Sequence, residues 1–173
     1  MRTAGAVWLS ALIAACGMFG CADRVADTLE AYDQLREALA TSRVGDVATQ
    51  ADLLSQRARL GVQSADDKQR YHLQELAGAA QQPSQNQANA EGTVRLATAR
   101  HDFQEVSRHV VALLEAEPER QTQYQLLECA TLEGYNRWVQ PKSDGRSPYE
   151  EKPGVSCVKL ASWGAGHCPF DYF

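Results

Sequence analysis

The residues of this chain with the chemistry to do something unusual are its sulfurs and imidazoles. Five cysteines and four histidines occur in 173 residues. Cys129 and Cys157 enclose a segment containing Trp138, Pro141, Pro148 and Tyr149. Bridged, they close a loop of about 29 residues, which in the chain-entropy picture removes about 3.5 kcal/mol of unfolded-state freedom. Reduced, two thiolates could hold a soft metal such as Cu(I), with His167 or Cys168 completing the set. Both outcomes stay open at the level of residues. Composition favours the bridge, because the surrounding tail has too little apolar content to pack alone. His167 and Cys168 are neighbours in sequence, and adjacent side chains usually point apart.

The remaining candidates for chemistry read as ordinary surface. His101 and His109 stand eight apart on a predicted helix, about 80° from each other around its axis. Both lie off the apolar stripe through Phe103 and Val110, so both are expected in solvent. The sequence has no HExxH and no pair of histidines four apart that would grip zinc on one helix face. It has no GxSxG elbow, and Gly164-Ala165-Gly166 lacks the strand-then-helix context of a phosphate loop. Glu115, Glu117 and Glu119 read as a solvated helix end. No catalytic residues and no enzymatic activity are expected.

Residues 1–21 read as an export label. Arg2 supplies the positive start, and Ala4 to Ala15 is uncharged and mostly small or apolar. That run matches a signal core and is too short for a spanning helix. Cys16 or Cys21 is then the lipidation site. Ile13-Ala14-Ala15-Cys16 has the better lipobox, whereas Met18-Phe19-Gly20-Cys21 abuts the polar chain at Asp23. Lipid on Cys16 would leave an even number of cysteines for an oxidising compartment. The expected protein is exported and held to a membrane in the cell envelope by its N-terminal lipid. A net charge of −5 argues against a nucleic-acid partner, which needs a basic stripe to meet phosphates.

Hydrophobic spacing then supplies a scaffold. Asp23 to Ala40 is predicted helical, with Val25, Leu29, Tyr32, Leu35 and Leu39 on one stripe. Val44 to Leu60 is a second helix, with Gly61 as its C-terminal cap, and Asp66 to Ala80 a third. The stretch QQPSQNQAN at 81–89 reads as a solvated loop. Glu91 to Glu117 is the clearest helix, carrying Leu96, Ala99, Phe103, Val106, Val110 and Leu113, with Pro118 as its stop. The fold class expected is all-α: an up-and-down bundle of about four helices over 22–123, carrying an irregular, cysteine-containing tail over 124–173. The aromatic end, Phe170, Tyr172 and Phe173, is expected to fold back onto the bundle.

Between Tyr32 and Cys157 the order of features resembles a bacterial family of exported helical domains. That family occurs free-standing and as an appendage on periplasmic adaptor subunits of copper- and silver-efflux pumps. Its opening Tyr-x-x-Leu-x-x-Ala-Leu helix is matched by Tyr32, Leu35, Ala38 and Leu39. Its later helix is matched by Arg100, Phe103, Ser107 and Leu113. Beyond it come Cys129, Gly134, Trp138, Ser147-Pro148-Tyr149 and Cys157. The methionines of the family pattern are absent here: the chain has only Met1 and Met18, and thioether is a soft ligand suited to Cu(I). The resemblance implies a copper-efflux-associated lipoprotein. It would bind or pass on a soft metal through Cys129 and Cys157 with His167 or Cys168, in contact with a metal-efflux pump component. The alternative is a metal-free structural or partner-docking lipoprotein with a Cys129–Cys157 disulfide.

Overall fold

The computed structural model describes residues 23–87, 92–142, 146–149 and 157–164. Cys16, Cys21, His167, Cys168 and the three terminal aromatics lie outside the described residues.

Helix α1, Arg24–Ala40, opens on Asp23, whose carboxylate accepts the Ala26 N–H at 3.1 Å. The whole predicted stripe from Val25 to Leu39 is buried. The helix ends in a Schellman turn: Arg43 N–H reaches the Ala38 carbonyl at 2.9 Å and Ser42 N–H that of Leu39 at 3.2 Å. Ser42 takes the left-handed position, φ 55°, that glycine usually fills. Helix α2, Val44–Val62, buries Val47, Ala51, Leu54 and Ala58 as spaced. It runs through Gly61 rather than stopping there. This glycine serves packing, since a Cβ on it would sit 3.2 Å from Cδ1 of Leu73 across the α2–α3 contact. Helix α3, Asp67–Ala79, begins with a reciprocal cap between Asp66 and Gln69, two side chains satisfying two open N–H groups.

The Gln-rich stretch forms a short helix, α4, Gln81–Gln87, not a loop. Pro83 is its third residue, inside the first turn, where N–H groups have no intrahelical acceptor to lose. Helix α5, Gly92–Glu115, is the long central one. Pro118 does not end it. The helix stops at Glu115, and Pro118 instead starts the single-turn helix α6, Pro118–Gln121, at the position where its ring fits.

The expectation of an all-α fold needs correcting. The protein is mostly helical, but its C-terminal part contains a small sheet: β1 (Tyr124–Cys129), β2 (Arg137–Pro141) and β3 (Val158–Leu160) are antiparallel in the order β2-β1-β3. Strands β1 and β2 lack polar alternation because each buries side chains on both faces of the sheet. Leu126 and its cross-strand partner Val139 enter the helical core, while Leu127 and its partner Trp138 enter a second cluster with Cys129.

Phe103, fully buried, stacks on Tyr32 with ring centres 5.3 Å apart. Replacing Phe103 by alanine is expected to cost about 3–5 kcal/mol, read as a lower urea midpoint. A loss below about 1 kcal/mol would show that helices α1 and α5 do not share this core.

Candidate functional site

Cys129 closes β1 and Cys157 immediately precedes β3, and the register pairs Cys129 with Val158. Strand pairing therefore brings the two sulfurs together, and they are bonded, with Cα atoms 4.9 Å apart. Cys129 is buried, and its Sγ lies 3.3 Å from the Thr131 hydroxyl. The bridge was one of the two outcomes left open by the sequence. In it each sulfur is bonded to the other, and the nearby hydroxyl is a hard oxygen donor, poorly matched to Cu(I). Among the described residues, no three His, Cys, Asp or Glu side chains are grouped to hold an ion. In the bridged form the residues present do not fit a soft metal.

Behind the bridge, a buried polar junction fastens the sheet to the helices. The Tyr32 hydroxyl lies 3.2 Å from Ser107 Oγ on α5 and accepts the Val139 N–H of β2 at 3.3 Å. Tyr149 donates to the same Ser107 oxygen at 3.4 Å. Its ring lies 5.5 Å from Trp138 and 6.0 Å from Phe103. Two arginines reach the same turn from the helices. Arg36 Nη1 donates to the Arg146 carbonyl at 3.0 Å, and Arg100 Nε to that of Pro148 at 2.9 Å. Arg100 also reaches the Leu39 carbonyl at 3.2 Å, tying the end of α1 to α5. Residues that carry the family resemblance, Tyr32, Arg100, Phe103, Ser107, Trp138 and Tyr149, thus meet in one place. There they hold elements together; burial leaves them little room to touch a ligand. Burial pushes the Tyr32 phenol up to about 12 and that of Tyr149 well above its ordinary range.

In front of the bridge, the loop between β1 and β2 leans on α5. Gln104 accepts the Tyr135 N–H at 3.1 Å and donates to the Glu133 carbonyl at 3.0 Å. Gly134 between them has φ 84°, and a Cβ there would meet Gln104 Oε1 at 2.3 Å. The loop so held forms one wall of an open cleft. A lobe of about 600 Å³ lies toward α3, past Gly78 and Glu105, and one of about 470 Å³ lies toward Glu115, Glu128 and Arg137. Arg108 and Tyr135 line both lobes, the guanidinium 5.3 Å from the ring centre. This is a cation–π contact.

His101 is exposed at this cleft, as expected, with 81% of its side chain accessible. His109 corrects the expectation: it is half-buried, with its ring 6.1 Å from that of His72 on α3. Burial, reinforced by His72, lowers its pKa, and burial lowers that of His72. Arg36, Gln104 and the Arg108–Tyr135 pair are site residues that motif and composition do not single out. Only Arg36 left a legible signal, a charge set between stripe residues Leu35 and Leu39. Nothing matches this chain among protein-family models, curated proteins or solved structures.

Two outcomes follow. A phenol whose folded pKa is raised adds stability that is whole below its unfolded value and lost as pH climbs through the folded one. For Tyr32 the decline should run from about pH 10 to about 12, read as helical ellipticity falling together with the rise of tyrosinate absorbance. Ionisation of every tyrosine near pH 10 with the helices intact would refute the buried junction. Gly134→Ala should cost about 1–3 kcal/mol from the left-handed backbone and the lost space. An unchanged melting temperature would show that the loop is not held as described.

Proposed function

We propose that this chain is an exported, lipid-anchored docking module, whose disulfide-pinned sheet holds the β1–β2 loop as a fixed wall of a partner-binding cleft. The observation that carries this is the combination of the Cys129–Cys157 bond with the Gln104 clamp on Gly134. Together they fix both ends of a loop that presents Tyr135, beside Arg137 at the start of β2, toward α5 and Arg108. A bridged pair also suits an oxidising compartment, in keeping with an export label over 1–21. Tyrosine and arginine are the side chains most often found as anchors of protein interfaces. The resemblance to domains on copper- and silver-efflux adaptors supplies the class of partner: an envelope subunit of a metal-efflux system.

The soft-metal reading requires Cys129 and Cys157 reduced in the cell. Protein isolated from the envelope without reductant, alkylated and digested, is expected to yield the Cys129–Cys157 linked peptide and to take up no stoichiometric Cu(I). Recovery of both cysteines alkylated, with Cu(I) bound one to one, would replace the docking reading by the metal one. For docking itself, a photo-crosslinker at Glu105 on the cleft rim should give one discrete adduct in cells. The same group at exposed Asp52 on α2 should give none. Equal smears from both positions would contradict a dedicated face.

A further inference from the structure

One end of this molecule collects the features of a bilayer-contacting surface. Helix α1 starts there. Helix α2 returns to it, Arg57 lying 3.9 Å from Asp27. Helix α3 departs from it, Gln69 bonding Glu117 at 2.8 Å, and α6 closes it, Arg120 gripping both oxygens of Asp23 at 2.7 and 2.8 Å. In the sheet, β1 begins at this end while β2 and β3 run out toward it, given the pairings Tyr124 with Pro141 and Leu127 with Leu160.

The large apolar side chains most exposed among the described residues are Leu160 at 74%, Tyr71 at 44% and Leu60 at 41%. Leu60 is in the last turn of α2, Tyr71 near the start of α3 and Leu160 at the end of β3. Each lies toward this end of its element, Tyr71 on the flank beside His72 and Arg108, and among the described residues the opposite end, around Thr41 to Val44, has no large apolar side chain so exposed. A shallow hollow of about 430 Å³ joins Leu160 to half-buried Trp163 and Tyr124 and to exposed Lys142. Aromatic rings with a polar edge favour the headgroup layer of a membrane. Arg24 pairs with Asp27 at 3.5 Å and Arg120 with Asp23, and Lys142 and Lys159 are offset by Asp66 and Glu119, so attraction to anionic lipid adds little.

Tether length selects the occupant. Cys21 precedes Asp23 by two residues and Cys16 by seven, at most about 7 Å and about 25 Å of extended chain. Helix α1, with 17 residues, is itself about 25 Å long. A lipid on Cys21 keeps the Asp23 end as the one nearest the bilayer, and one on Cys16 lets that end stand off by no more than about the length of α1.

We propose that this end rests on the phospholipid surface with Leu160 and Trp163 in the headgroup layer, leaving the Arg108–Tyr135 cleft at the side of the molecule, open to a partner. This rests on the lipid-anchored reading above. The test uses full-length protein extracted from the envelope in detergent. Its mature N-terminus is weighed by mass spectrometry, and the protein is reconstituted into phosphatidylethanolamine–phosphatidylglycerol vesicles brominated near the glycerol end of the acyl chains. Trp138 is fully buried and serves as the internal reference. The expected result is an acylated cysteine and loss of about half or more of the Trp163 emission, independent of salt. That loss should disappear in Trp163→Phe. Leu160→Asp, at an exposed position that folding does not need, should restore the Trp163 emission. An unacylated N-terminus would overturn the anchor and the orientation together. An acylated protein with Trp163 unquenched, or quenched equally with aspartate at 160, would overturn the orientation alone.

Discussion

The Tyr32 hydroxyl is the point on which the two parts of this molecule depend. It lies inside the core where α1, α5 and β2 meet, and it is the acceptor for the Val139 N–H. Strand β2 is an edge of the sheet, and an open edge N–H in a dry interior costs about 1–3 kcal/mol if nothing receives it. Two residues further along the same edge stands Pro141, which has no N–H to leave open. Ser107 then links the Tyr32 oxygen to that of Tyr149. A short chain of hydroxyl groups thereby satisfies strand, helix and turn at once, which a purely apolar junction of the same shape could not do. The arginines act in the same sense: Arg36 and Arg100 use guanidinium groups to collect carbonyls from a segment that has no regular structure to satisfy them.

The disulfide and this junction divide the work. The bridge restrains the sheet at the Cys129 end of β1, far along the strand from Tyr124, and the junction holds the middle of β2 and the turn at 146–149. Between them the β1–β2 loop is left with few ways to move, and Gln104 removes another. Conformational freedom lost before a partner arrives is not lost on binding, so a loop fixed in this way is suited to recognition more than to enclosing a substrate. The resemblance-bearing residues support the scaffold, and the surface they position, Arg108 with Tyr135 and Arg137, lies outside that pattern apart from Gly134 in the loop itself.

Much of the helical part was legible in the sequence because each helix buries one stripe. Leu29, Tyr32, Leu35 and Leu39, or Ala99, Phe103, Val106 and Val110, announce themselves by spacing. The sheet was not legible for the opposite reason. Leu126 and Leu127 are adjacent, both buried, on opposite faces, so no alternation exists to detect. Gly61 and Pro83 misled because each residue has two uses: glycine ends helices but also lets them approach, and proline breaks helices except in the first turn. The disulfide was legible only as one of two options, since a bridged cysteine and a metal-binding thiolate are the same letter. The cleft was not legible at all. Its Arg108 and Tyr135 are brought together by the β1–β2 loop and β2 returning over α5, a tertiary event without a local signature.

The most direct measurement of this clamped sheet is native-state hydrogen exchange on the intact, oxidised protein. If Tyr32, Ser107 and Tyr149 join sheet and helices into one cooperative unit, the Val139 amide exchanges only through global unfolding, with the same free energy as core amides of α1 and α5 such as Leu35 and Val106. Exchange of Val139 through a local opening several kcal/mol below that level, with the helical amides still protected, would show a sheet that merely rests on the bundle.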